Sequence, residues 1–157
     1  MVDAWLTTMS TNLEAVINPL IAACEEGFLP DELYVLDNPG VGDQFDDITS
    51  MMERVVVEYG GGDPDLSVTH LDTETDFQGI VEHFREPIAQ IQADGGTAAV
   101  DVTPGRKFMS AIAFQAGIQF EADHVFYLYV SNNRFYGRLY PDVPRPVVEL
   151  VDFQEVF

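Results

Sequence analysis

Residues 97–120, "TAAVDVTPGRKFMSAIAFQAGIQF", break into three parts. "TAAVDV" reads as a strand, "KFMSAIAFQAGIQF" as a helix, and a polar break with Pro104 and Gly105 joins them. The same strand–break–helix unit recurs upstream. "AWLTTM" is a strand followed by the helix "TNLEAVINPLIAACEEG", which Gly27 closes. Thr11 and Glu14 fit a capping box there, and Pro19 leaves two choices: a kink, or a helix that starts at Asn18-Pro19. "DELYVLD" is a second strand, and the following "FDDITSMMERVVVEY" sets Phe45, Ile48, Met52, Val55 and Tyr59 on one helical face. "DLSVTHLD" is a third strand, and the next helix carries Phe77, Ile80, Val81, Phe84, Ile88 and Ile91 at helical spacing. After residue 120, "HVFYLYV" is a fifth strand, Asn132-Asn133 a hairpin turn into "FYGRLY", and "PVVELVDF" a last strand.

Four strand–helix units followed by a hairpin predict a doubly wound α/β sheet, mainly parallel, with an antiparallel C-terminal edge. The length predicts one domain over residues 1–157. Ligands of such sheets bind beyond the carboxyl ends of the strands, where the strand order reverses. For the order 3-2-1-4-5 the reversal falls between strands one and four, so the loop Thr7–Asn12 faces the loop Thr103–Lys107. The first loop offers five hydroxyl or amide side chains in six residues; the second carries Arg106 and Lys107. Both feed helix N-termini, where free N–H groups and the helix dipole favour anions. Together they suit a phosphate-bearing ligand.

The scarcity of lysine sharpens this reading. The chain carries 27 acidic and 7 basic residues, a formal charge of −20, and Lys107 is its only lysine. The acids are spread along the whole chain, a composition like that of salt-in halophiles. At about 1 M salt the screening length is roughly 3 Å, so contact-range charges decide what binds. Direct DNA binding through a basic surface is excluded by the charge balance. The lone Cys24 excludes an internal disulfide, and His70, His83 and His124 are scattered without metal-ligand spacing. No apolar run is long enough to span a membrane and no basic signal region opens the chain, which predicts a cytoplasmic protein without a metal or cofactor.

Two common phosphate motifs are absent. "TPGRKF" lacks the first glycine and the Ser/Thr of a Walker A loop; "TTMSTN" has no glycine for a dinucleotide fingerprint. "PGVGDQF", after the second strand, has Gly-x-Gly without the third glycine and reads as a turn. Asp37 reads as the start of an Asx turn before Pro39, and Asp101 as a strand-end residue with a catalytic role as its alternative. Ser10, Thr11 and Asn12 would cap the first helix whether or not they bind ligand. The alternating aromatics of "FYLYVSNNRFYGRLY" fit a core or dimer interface better than a base-stacking surface.

"DVTPGRKFMS" resembles the T-G-G-x-K/R-x-M segment after the fourth strand of the CRISPR-associated Rossmann fold, or CARF, family. "LTTMSTNLEAVINPLIAACEEGFLPDELYVLD" is similar to that family's first strand, polar loop, helix and second strand, and the resemblance covers nearly the whole chain. It implies a Rossmann-like fold and a homodimeric sensor of cyclic oligoadenylate in type III CRISPR defence. The ligand-binding positions it implies are Thr8, Ser10, Thr11 and Asn12 with Thr103, Gly105, Arg106 and Lys107. Dimerisation would double a basic pair that is small beside a four-phosphate ring. Pro104 departs from the family's glycine and removes one backbone donor. No R-x4–6-H motif of a HEPN ribonuclease is present, which speaks against an effector nuclease. Stand-alone relatives include metal-independent ring nucleases, in which a ribose 2′-OH attacks the neighbouring phosphate; Lys107 and Ser10 are the candidates for that chemistry. The competing reading is a non-catalytic module that only dimerises or docks a protein partner.

Overall fold

The computed structural model describes residues 1–157. Six strands form one sheet: β1 (Asp3–Thr8), β2 (Glu32–Asp37), β3 (Asp65–His70), β4 (Thr97–Asp101), β5 (His124–Val130) and β6 (Val148–Asp152), in the order β3-β2-β1-β4-β5-β6. The first five are parallel, and β6 runs antiparallel to β5 with Leu128 opposite Leu150. Four helices connect the parallel strands: α1 (Leu13–Glu25), α2 (Phe45–Glu58), α3 (Phe77–Ala93) and α4 (Lys107–Gln119). The fold is the Rossmann-like, doubly wound sheet expected from the strand–helix alternation, with the order reversing between β1 and β4. No helix is long and apolar enough to cross a membrane.

Strand alternation divides the core in two. Trp5 and Ala99 join α1 and α2 on one face; Ala4, Leu6, Ala98 and Val100 join α3 and α4 on the other. Successive side chains of the central strands are buried in both directions, as a parallel sheet covered on both faces requires. The stripe of α3 is as predicted at Ile80, Phe84, Ile88 and Ile91, whereas Phe77 is exposed and rests edge-on against Phe108. On α2 the buried stripe is Phe45, Ile48, Met52 and Val56, with Thr49; Val55 is half-buried and Tyr59 exposed.

The helix α1 runs from Leu13 with Pro19 inside it, so of the two choices at Pro19 the helix continues through the proline and does not begin at Asn18-Pro19. Two local expectations fail. The capping box at Thr11 does not form: the N-cap is Asn12, without a side-chain bond, and the Ser10 hydroxyl accepts from the Asn12 N–H instead. "FYGRLY" is not a strand. Residues after β5 form short 3-10 turns at Asn133–Phe135, Tyr140–Asp142 and Arg145–Val147, and β6 is the partner of β5. Asn18 on α1 explains the change, because its amide donates to the Arg138 carbonyl at 2.7 Å and accepts from the Tyr140 N–H at 2.8 Å. These are the backbone groups a strand would need for pairing. Pro141, Pro144 and Pro146 remove further ladder donors.

Candidate functional site

The carboxyl ends of β1, β2 and β4 open onto a crevice of about 300 Å³, lined by Ser10, Thr11, Asn12, Gly105 and Arg106 from the two predicted loops. The topological switch point thus does what the strand order implied: it brings together side chains almost a hundred positions apart. Met9, Asn38, Gly40, Val41 and Glu74 complete the lining.

Close backbone approach makes the loop after β4. Gly105 has φ +93°, and a Cβ there would stand 2.6 Å from the Thr8 Oγ1, so only glycine fits both the conformation and the space. Thr8 is buried and donates its hydroxyl to the Pro104 carbonyl at 3.1 Å; the Ser110 hydroxyl donates to the same carbonyl at 3.2 Å. Pro104 has no N–H, and its carbonyl is the clamp between the loops. Thr103 is held below: its N–H donates to the Asp101 carboxylate at 3.0 Å, and its hydroxyl accepts from the Leu128 N–H at 3.0 Å. Of the predicted residues, then, Thr8 and Thr103 shape the loops from beneath and do not line the crevice. Lys107 is exposed on the first turn of α4, makes no ion pair, and also lies outside the lining.

The two helices that start from the predicted loops lack side-chain caps. Neither Asn12 on α1 nor Arg106 on α4 bonds its own helix, in contrast to Asp76, which accepts from Gly79 N–H at the start of α3. Uncapped N–H groups and the positive ends of two helix dipoles therefore face the switch point. Arg106 is the crevice's cation and is paired with Glu74 at 2.9 Å, with its guanidinium 5.7 Å from the Phe108 ring centre. An anion entering the crevice would compete with Glu74 for that guanidinium.

Sequence reasoning missed the third wall. Asn38, Gly40 and Val41 follow β2, the strand beside β1, so the "PGVGDQF" turn borders the crevice. Asn38 is 7% exposed, and its amide oxygen finds no partner. Glu74 carried no signal, because it lies in an acidic loop before α3 and meets Arg106 only in the tertiary structure. The strand-end residues are structural: Asp37 pairs with His70 at 3.0 Å, and His124 with Asp152 at 2.8 Å. Asp101 is wholly buried, and burial pushes its carboxyl up to about 7. His83 is buried between the Thr7 carbonyl and the Thr69 hydroxyl, and burial pushes its pKa down to about 4.

The sequence matches no protein-family model and no curated protein. Solved structures are similar in fold. Can2 from Sulfobacillus thermosulfidooxidans, in complex with cyclic tetra-adenylate, is 16% identical over 80% of this chain and 31% of its own, with a TM-score of 0.58. A type III CRISPR defence DNA nuclease activated by cyclic oligoadenylate is 15% identical over 82% of this chain and 19% of its own, with a TM-score of 0.62. Csm6 from Enterococcus italicus, bound to cyclic hexa-2′-fluoro-hexa-dAMP, is 12% identical over 85% of this chain and 34% of its own, with a TM-score of 0.59. At these identities the likeness is one of fold, and this chain spans about a third or less of each of these proteins.

Proposed function

We propose that residues 1–157 form a CARF-like sensor domain that binds a cyclic oligoadenylate as a homodimer. The observation that carries this reading is the crevice at the switch point: two uncapped helix N-termini, a row of hydroxyl and amide side chains, and Arg106 meet there in an otherwise acidic chain. The fold likeness to proteins described with cyclic oligonucleotides supports the choice of ligand. In the proposed dimer the twofold axis brings a second Arg106 and Lys107 to the ring, so each phosphate-facing cation acts twice. Ser10, Thr11, Asn12 and Gly105 would contact the ligand, Thr8 and Thr103 would hold the loops, and Lys107 would reach in from the rim.

Titration calorimetry with cyclic tetra-adenylate in molar KCl and EDTA tests the proposal. One ring per two chains is expected. Arg106→Ala and Lys107→Ala should each weaken binding about tenfold or more, since a charge-assisted hydrogen bond is worth about 1.5–3 kcal/mol. Unchanged affinity in both variants would remove the site assignment. Linear products in the same sample would make the chain a ring nuclease. Absence of binding would leave the docking-module reading.

A further inference from the structure

The two ligand loops are tied together by one buried carboxylate. Asp101, the last residue of β4, accepts from the Thr103 N–H through Oδ1 at 3.0 Å and from the Thr7 hydroxyl through Oδ2 at 3.1 Å. Thr7 sits near the end of β1 and Thr103 opens the loop after β4, so the carboxylate spans the switch point directly under the crevice. Thr7 has a second acceptor within reach, the Thr8 carbonyl at 3.3 Å. Two hydrogen-bond arrangements are therefore available without moving the backbone. With Asp101 ionised, the Thr7 hydroxyl donates to the carboxylate. With Asp101 protonated, the new O–H donates to the Thr7 oxygen, and the Thr7 hydrogen turns to the Thr8 carbonyl.

We propose that Asp101 is the positioning residue of this site and takes up one proton from solvent when an anion fills the crevice, so that binding of a phosphate-bearing ligand tightens as pH falls. The proposal rests on the crevice being a phosphate site. Its physical cause is repulsion: a ligand phosphate arriving one loop above a buried carboxylate disfavours the charged form of that carboxylate. Burial already pushes Asp101 up to about 7, so the added repulsion acts where the proton is close to balanced. No cation compensates the carboxylate. No charged group shifts Asp101: burial raises it, and its bonds to Thr103 and Thr7 oppose that. The titratable and charged groups on the surrounding elements include Glu14 and Glu25 of α1, Glu82, His83, Arg85 and Glu86 of α3, His124, Tyr127 and Tyr129 of β5, and Arg106 and Lys107 at the start of α4. His83 reaches Asp101 only through Thr7: its Nε2 donates to the Thr7 carbonyl at 3.0 Å and its Nδ1 accepts from the Thr69 hydroxyl at 2.8 Å. His124 is paired with Asp152, and Arg106 with Glu74.

The test is the affinity for cyclic tetra-adenylate between about pH 6 and about pH 9, with calorimetry in two buffers of different ionisation heat. Wild type should weaken as pH rises, by at most about tenfold per unit for each linked proton, and so by up to about a hundredfold per unit for a ring held by two chains. The buffer comparison should give close to one proton taken up per chain on the alkaline side, a measurement that needs no variant. Asp101→Asn copies the protonated arrangement, because its amide donates to Thr7 and still accepts from Thr103. It should bind with a flat profile and, near pH 9, more tightly than wild type. A merely structural role predicts the reverse, weaker binding at every pH. Zero protons taken up, a flat wild-type profile, or a slope that survives in Asp101→Asn would overturn this proposal and leave the binding site standing. Failure to bind at any pH would overturn both.

Discussion

Gly105 shows how tightly single residues constrain the site. Its φ of +93° and the 2.6 Å separation between an added Cβ and the Thr8 Oγ1 combine backbone and contact strain. Gly105→Ala should therefore cost about 1–2 kcal/mol from the left-handed backbone alone, read as a lower urea midpoint, and should displace the Pro104 carbonyl from Thr8. An unshifted midpoint would contradict the clamp. Asp101 makes a second residue-scale prediction. Its carboxyl lies at about 7 in the folded chain and near its ordinary 3.8 when unfolded. A raised carboxyl binds its proton more readily in the folded state, so this contribution to stability is full below the unfolded value and disappears as pH rises through about 7. Thermal melts of wild type and Asp101→Asn should diverge across that interval, with the variant the more stable above it; parallel curves would refute the assignment. These two residues were unequally legible. Gly105 stands in a loop where any reader expects a glycine, whereas nothing in "AVDVT" tells a buried, proton-balanced aspartate from a solvated strand end. The difference is desolvation, which depends on what covers the residue.

At the level of elements, α1 is the organising helix. Residues Val16 through Cys24 are all buried, because the sheet lies on one side and the connection after β5 on the other. Burial pushes the Cys24 thiol up to about 12, which leaves it a packing group. Asn18 is the polar exception on this helix and fastens Arg138 and Tyr140. Arg145 adds to the seam, with its guanidinium 3.7 Å from the Tyr140 ring centre and bonds to the Tyr140 and Val143 carbonyls. Asn18→Leu would strand a backbone donor and a backbone acceptor, at about 1–3 kcal/mol for each group left buried. Hydrogen exchange should then speed up across residues 133–147 while β1 and β4 stay protected; uniform exchange would show that the seam does not depend on Asn18. The periodicity of α1, α2 and α3 was readable because helical spacing is local. "FYGRLY" reads as a strand because alternating aromatics signal pairing, but they do so only when backbone groups are free to pair; here Asn18 claims two of them, and the three prolines that follow have no N–H to offer.

Over the whole molecule the charge of −20 sets the conditions for stability and association. Self-repulsion of this size should be relieved by salt, since the screening length falls from about 10 Å at 0.1 M to about 3 Å at 1 M. The melting temperature should rise over that range of KCl, and a flat response would show that the acidic surface carries no cost at low salt. The proposed dimer should follow the same trend, with sedimentation shifting toward dimer as KCl or ligand increases.

The sequence alone determined the order of strands and helices, the parallel core, an antiparallel C-terminal edge but not the segment that forms it, and the end of the sheet where the two polar loops lie. All of these follow from hydrophobic period and turn chemistry, which act over a few residues. Only the tertiary structure decided that Thr8 and Thr103 work from beneath the crevice, that Lys107 lies outside its lining, that Glu74 holds Arg106, and that Asp101 is sealed from water. Those facts depend on burial and on contacts between residues distant in the chain, and a side chain's charge state and reach are set by the neighbours that folding supplies.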